Sequence, residues 1–187
     1  MEMAFRRLTD DDLPLLHAWL NEPGVVRWWE GDDVSWAAVV REYGSTNTEP
    51  VEHWLAILDA APVGWIQCYA AASFADEAET RAWFAMGIDR TAGGIDYLVG
   101  EPARRGNGLG SQMIRRFVDQ VVFPRHPDWT QVCASPQQAN EASWRALANA
   151  GFRTLGTFED TQVGTCRMMV LDRADEASVP AADGVPA

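Results

Sequence analysis

The sequence predicts a single α/β domain in which about four helices flank a central sheet. Its 187 residues suffice for one sizeable core and fall short of two. Strand-like and helix-like runs follow one another in the order β-α-α-β-β-β-α-β-α-β-β, with no internal repeat. A glycine-rich stretch, Arg104-Arg105-Gly106-Asn107-Gly108-Leu109-Gly110, lies directly between the fourth strand and the third helix.

Each element has its own local signal. Residues 5–8 read as a first strand, after which Thr9 and Asp10 offer a helix N-cap. Leu13, Leu15, Leu16, Trp19 and Leu20 recur at helical spacing, Pro14 fits the first turn, and residues 21–24 stop the helix. A loop over 25–33 carries Trp28 and Trp29, a second helix spans about 35–43, and 44–50 form a polar loop. Strands at 53–58 and 63–69 flank the hairpin signal Asp59-Ala60-Ala61-Pro62. Residues 71–93 read as a long acidic loop with room for a short irregular helix, and loops of that length inside a domain are often functional. Residues 94–99 form the central strand and 111–122 the helix behind the glycine stretch. A short strand at 130–134, a helix at about 140–149 and an antiparallel pair at 152–158 and 165–171 complete the domain, which ends at residue 173. Residues 174–187 have the composition of a disordered tail.

The net charge is −12 and the pI about 4.5, which disfavours nucleic acid as a partner and favours a cationic one. An acidic surface also simply keeps a protein in solution, so charge alone does not choose between these readings. Cys68, Cys133 and Cys166 are odd in number and far apart, the pattern of reduced core residues in a cytoplasmic protein. No basic leader followed by an apolar segment begins the chain, and no apolar run approaches the ~20 residues of a membrane span. Monomer and homodimer are equally compatible with the sequence. His17, His53 and His126 are scattered, so no metal site is expected. Nine tryptophans call for a large covered surface, and most belong in the core.

The glycine stretch admits two readings: a tight strand-to-helix turn, or a phosphate cradle in which backbone N–H groups and the helix N-terminus face an anion. It lacks the Lys-Ser/Thr ending of a P-loop and the acidic ribose-binding residue of a dinucleotide fold. Arg105, Gly108 and Gly110 do fill the pattern Arg/Gln-x-x-Gly-x-Gly/Ala, which resembles the acyl-coenzyme A loop of the GNAT superfamily of N-acetyltransferases. The element order agrees with that resemblance, as does the run from Asn140 to Phe152, similar to the late helix and Gly-Phe strand start of such domains. The resemblance implies a mixed, mostly antiparallel sheet splayed at its middle strands.

Within the superfamily the chain most resembles the aminoglycoside 6'-N-acetyltransferases, over nearly all of residues 5–171. The residues that carry this are Trp19-Leu20-Asn21, Val26-Arg27-Trp28-Trp29, the run from Pro62 to Tyr69, Gly93-Gly94-Ile95-Asp96, Gly108-Leu109-Gly110 and Ser135-Pro136 with Asn140. The resemblance implies acetyl-coenzyme A as donor, no metal, and a cationic small-molecule acceptor attacked directly in a ternary complex. Arg104, Arg105, Gly106, Asn107, Gly108, Leu109, Gly110 and Ser111 are then expected to hold the pyrophosphate, Leu98 and Val99 to line the donor site, and Asn140 to bind the pantetheine arm. A backbone N–H near Tyr97 or Leu98 is expected to polarise the thioester carbonyl.

A polyamine acceptor calls for carboxylates in a cleft and flat surfaces for sugar rings. Asp96 and Asp89 are the candidate carboxylates, Glu77 and Glu79 a rim, and Trp28 and Trp29 a wall. Asp96 stands out because a carboxylate inside an apolar strand needs a partner. It is the candidate base, with Asp89 as the alternative. Asp89 reads equally as a solvated loop acid, and the two tryptophans equally as packing for their loop. One departure from the family concerns the late helix, where the tyrosine that protonates the leaving thiolate is replaced by Leu147. Tyr97 is then a candidate for that role, or the thiolate takes the amine's proton. The rival functions are acylation of a siderophore hydroxylysine or polyamine, and a ligand-binding module that has lost catalysis.

Overall fold

In the computed structural model, which describes residues 2–29 and 32–174, seven strands form one sheet. They are β1 (Met3–Arg7), β2 (Val51–Leu58), β3 (Ala61–Ala70), β4 (Gly93–Val99), β5 (Gln131–Ala134), β6 (Arg153–Asp160) and β7 (Gly164–Asp172). The order is β1-β2-β3-β4-β5-β7-β6, antiparallel throughout except for the parallel pair β4–β5. The expected disordered tail lies outside the described residues from 175 onward. At the β2–β3 hairpin Asp59 and Ala60 take φ of +50° and +64°, the turn hand that matches strand twist.

The helices are α1 (Leu13–Leu20), α2 (Pro23–Val26), α3 (Trp36–Tyr43), α4 (Ala78–Ala85), α5 (Leu109–Phe117), α6 (Phe123–Arg125) and α7 (Glu141–Asn149). Five of them have eight or nine residues, so the expected four gain one, α4, from the segment read as a long loop. Ser35 caps α3 by accepting from the Ala38 N–H, and Asn140 caps α7 by accepting from the Ser143 N–H. The helix expected over 111–122 begins at Leu109 and passes through a π turn at Val118–Val122 into α6. Among the described residues no helix is long and apolar enough to cross a membrane.

Strand alternation sends β3 and β4 side chains to opposite faces of the sheet. Trp65 and Leu98 pack under α1 and α3 with Leu16, Leu20 and Leu55, while Ile66 and Ile95 pack against Ile114, Phe117 and Trp129. Five of the nine tryptophans, Trp19, Trp54, Trp65, Trp83 and Trp129, are buried. Cys68, Cys133 and Cys166 are buried free thiols.

The feature that makes a site is the short β4–β5 pairing. Only Gly93↔Val132 and Gly94↔Cys133 are in register, and beyond them β4 has no partner on that side. Both glycines are needed here. A Cβ on Gly93 would lie 2.1 Å from the Trp129 ring, and one on Gly94 would lie 2.5 Å from the Tyr69 ring. Gly93→Ala is expected to destabilise the protein by about 1–3 kcal/mol through overpacking, seen as a lower urea midpoint with an unchanged m-value.

Candidate active site

Past Gly94 the backbone of β4 itself becomes a binding surface. The Gly100 N–H bonds Val63 O and the Ala71 N–H bonds Ala92 O, so the even-numbered residues of β4 face β3. Tyr97 and Val99 therefore turn their N–H and C=O groups toward the gap beside β5, while the Ile95 N–H still belongs to the Gly94↔Cys133 pairing. Of the two residues expected to polarise a thioester, Leu98 is excluded because its N–H points into the β3 ladder. Tyr97 keeps a free N–H.

The gap opens into a groove of about 440 Å³ lined by Trp28, Trp29, Tyr97, Val99, Gly106, Gly108, Gly110, Ser111, Asn140, Ser143 and Ala146, among others. Gly106 and Gly108 have φ of +78° and +79°, and a Cβ added to either would meet nothing within 4 Å. Left-handed backbone and open space together favour glycine here. The first helical bond of α5 runs from the Gln112 N–H to Gly108 O, which leaves the N–H groups of Leu109, Gly110 and Ser111 for an anion.

Arg105 corrects the sequence reading. Its Nε donates to Val99 O at 3.0 Å, its Nη2 donates to Gly100 O at 3.0 Å, and its Nη1 pairs with Glu22. The guanidinium thus ties the glycine loop to the end of β4 and to the cap of α2, which commits three of its five N–H donors at the edge of the groove. Arg104 and Asn107 are exposed and do not line the groove, while Leu109 is buried against Val63 and Met113. Anion binding at this loop falls to backbone. Asn140 lines the groove with its Oδ1 committed to the α7 cap, leaving its amide Nδ2 to offer a ligand.

Across Tyr97 the groove meets a second cleft of about 380 Å³. Asp96, Gln67, Glu79 and Ser135 lie in it, and Trp28, Trp29, Tyr43 and Trp65 wall it. Trp29 also packs edge-on to Trp65 at 6.5 Å, so it serves the packing of its loop while lining the cleft. An adjoining cleft of about 470 Å³ shares Tyr43, Gln67, Glu79 and Asp96 and adds Glu42, Glu49, Tyr69 and Glu77. Asp32, Glu79, Asp96 and Asp160 line the first cleft and Glu42, Glu49 and Glu77 the second, against the single basic residue Arg41.

Two of these carboxylates are built into hydrogen-bonded arrangements. Gln67, directly opposite Asp96 in the ladder, donates from Nε2 to Asp96 Oδ2 at 2.8 Å. Burial raises the Asp96 carboxyl above the ordinary value, the Gln67 bond opposes this, and the charge of Asp32 adds to it. Glu79 accepts from the Ser135 hydroxyl, which in turn accepts from the Trp83 indole N–H at 3.1 Å. Burial and the charge of Asp96 push Glu79 up to about 7 against the pull of the Ser135 bond. Sequence reasoning missed Gln67 and Ser135, although Gln67 sits in a strand next to the one bearing Asp96.

Asp89 is not brought to this site. It lies in the exposed turn before β4, where its Oδ1 accepts from the N–H and hydroxyl of Thr91 at 2.9 Å, bonds that lower its pKa. It lines none of the three cavities. The Tyr97 hydroxyl bonds Ser143 O at 3.1 Å and Ser143 Oγ at 2.7 Å, one helical turn from the fully buried Leu147. Cys166 borders the first cleft, but burial pushes its thiol up to about 11, so it stays protonated at neutral pH. Glu52, Cys68 and His126 gather their donor atoms within 4.8 Å away from these cavities. Arg7 and Arg125 both pair with that Glu52, and their charge opposes a cation there.

The structure thus holds a strand gap beside a helix start with unpaired N–H groups, opening onto an acidic cleft. A family model described as an acetyltransferase (GNAT) domain matches residues 9–160. The chain belongs to the GNAT acetyltransferase family. The aminoglycoside N(6')-acetyltransferase type 1 of Klebsiella pneumoniae is 30% identical over 159 residues, covering 83% of this chain and 76% of the relative. The N(6)-hydroxylysine O-acetyltransferase of Escherichia coli is 28% identical over 158 residues, covering 83% of this chain and 47% of the relative. A solved structure of AAC(6')-Ib in complex with paromomycin and acetyl-CoA has a TM-score of 0.81 at 30% identity, covering 92% of this chain and 94% of that one.

In this GNAT domain Arg105 is a brace, and lysine cannot reproduce its three-way fork. Arg105→Lys is expected to cost about 1.5–3 kcal/mol in chemical denaturation, the range for hydrogen bonds to a charged group.

Proposed function

We propose that the protein transfers the acetyl group of acetyl-coenzyme A to a primary amine of an aminoglycoside, most closely the 6'-amine. The observation that carries this is the pair of joined clefts with seven lining carboxylates and one arginine, opening onto the donor groove at Tyr97. An acceptor with several ammonium groups is the natural complement of such a surface. The relatives named for aminoglycoside acetylation support the same acceptor.

Acetyl-coenzyme A supplies a thioester already activated for attack. The start of α5 holds its pyrophosphate, and the unpaired β4 edge and Asn140 hold its pantetheine arm. The Tyr97 N–H polarises the carbonyl, a contact that strengthens as charge develops on oxygen. Asp96 orients the attacking amine and receives a proton from it, its geometry set by Gln67. Tyr97, whose hydroxyl bonds Ser143 one turn before Leu147, hands a proton to the leaving sulfur in place of a tyrosine at Leu147. Direct transfer needs no protein nucleophile. We place the enzyme in the cytoplasm, in keeping with its free buried thiols, as a monomer or homodimer.

A second reading, acylation of a hydroxylated lysine, is favoured by the similarity to the hydroxylysine O-acetyltransferase. Free-thiol release from acetyl-coenzyme A with kanamycin, tobramycin, spermidine and a hydroxylated lysine separates the acceptors, and turnover confined to the first two is expected. Coenzyme binding without turnover on any of them would instead identify a ligand-binding module. Asp96→Asn is expected to lower kcat by about 10²–10⁴-fold at neutral pH. Full activity in that variant would remove Asp96 from the reaction.

A further inference from the structure

We propose that Glu79 is a second catalytic carboxylate, which takes the proton that turns the bound ammonium into a nucleophile, with Ser135 and Trp83 holding it in place. The proposal rests on the reading of the clefts as the site of a cationic acceptor amine.

The proton balance requires two acceptors. An ammonium and a thioester become an amide and a thiol when an N–C bond forms and the C–S bond breaks with its electron pair going to sulfur. Nitrogen loses two protons along the way, one before attack to free its lone pair and one as the amide forms. One ends on sulfur and the other in water. Asp96 serves one of these transfers, and a second carboxylate lets the other proceed without Asp96 first shedding its proton.

Glu79 is positioned for it. It borders both the cleft that holds Asp96 and the adjoining cleft, so a proton taken on one side has a way to water on the other. An indole N–H can only donate, and the one on Trp83 occupies the Ser135 oxygen. The hydroxyl hydrogen of Ser135 is thereby committed to Glu79 Oε1. Oε2 is left as the oxygen on which a proton arrives and departs.

The groups around Glu79 set when it can act. Asp96 faces it from β4 and Asp160 from β6, Glu77 precedes its own helix, and Tyr69 of β3 and Cys166 of β7 are close enough to feel its charge. No Lys, Arg or His lines the first cleft among the described residues, and Arg41 alone lines the second. Burial among acids holds the carboxyl near neutrality, at about 7, where it suits removal of a proton from an ammonium. The second proton leaves a cationic, four-bonded nitrogen and is far more acidic. Asp96 takes that one and returns it to sulfur directly or through Tyr97.

The test is the pH dependence of kcat/KM for kanamycin between about pH 6 and about 9.5, a range that spans the titration of Glu79 and of amines. Wild-type kcat/KM is expected to rise with pH through about 7 as Glu79 ionises. Glu79→Gln is expected to lose this rise and to fall about 10²-fold at neutral pH. Its deficit should shrink at alkaline pH, where water supplies the free amine. The deficit of Asp96→Asn should not shrink. Acetyl-coenzyme A affinity by calorimetry should match wild type in both variants, which separates catalysis from folding. A Glu79→Gln deficit that is absent, or constant across pH, overturns the proposal. Should no aminoglycoside turn over, the acceptor assignment fails, and the same series is run on whichever amine does. Independently of any acceptor, an infrared carboxyl band titrating near neutrality should be present in wild type and missing in Glu79→Gln. Its absence from wild type overturns the proposal as well.

Discussion

The constraint on which the structure turns is the parting of β4 from β5 after two paired residues. A longer parallel ladder would satisfy the backbone of Tyr97 and Val99 and close the sheet. Parted, the same residues hold polar groups beside a gap, and buried backbone groups require partners. The fold supplies one internally, since Arg105 Nε donates to Val99 O. The N–H groups are left for whatever fills the gap. A slot and a demand for a hydrogen-bonding occupant therefore arise from one event, and the rings of Trp129 and Tyr69 pressed onto Gly93 and Gly94 hold that event at a fixed register.

The gap also joins the two faces of the sheet, which explains why donor and acceptor can meet. Alternation places Asp96 and Leu98 on the face covered by α1 and α3, and Ile95, Tyr97 and Val99 on the face covered by α5. An anion at the start of α5 lies on one face and the carboxylate cleft on the other. A linear arm through the gap connects them. One seven-residue strand thus carries the unpaired Tyr97 N–H, the Asp96 carboxylate and the phenol of Tyr97. No loop has to be ordered for these three to flank the gap.

Much of this is legible in the sequence. The order of elements, the glycine loop, the late helix from about Asn140 and an isolated carboxylate in an apolar strand each have a local physical signature, and all lie in regular elements or next to them. What escapes has a common cause. Glu79 is named as a rim acid, but its pairing with Trp83 at i, i+4 on α4, the spacing that brings side chains together on one helical face, is hidden because the segment's acidic, low-periodicity composition reads as loop. Ser135 gains meaning only from its contacts with both, 52 and 56 residues away. Arg105 misleads for the opposite reason. A cation beside a phosphate cradle suggests a phosphate ligand, whereas here Glu22, 83 residues earlier, claims it and backbone N–H groups are left to the anion. Asp89 shares the residue type of Asp96 without its setting, because a carboxylate followed two residues later by threonine closes its own turn.

Electrostatics links the acidic clefts to the chemistry. Seven carboxylates lining joined cavities repel one another, and holding the Glu79 carboxyl up at about 7 relieves this in part. A polycation entering the clefts reverses the balance. Each ammonium that settles against Glu42, Glu49 or Glu77 lowers the potential opposing ionisation at Glu79, so the acceptor itself drives that carboxyl toward the form that can remove a proton. A monoamine in the reacting position would neutralise only its immediate neighbours and leave the remaining acids unpaired. The same charges that concentrate a polyamine near the site thereby make its deprotonation responsive to how many ammonium groups it brings. Preference for a polyamine is then expressed in the proton-transfer step as well as in binding.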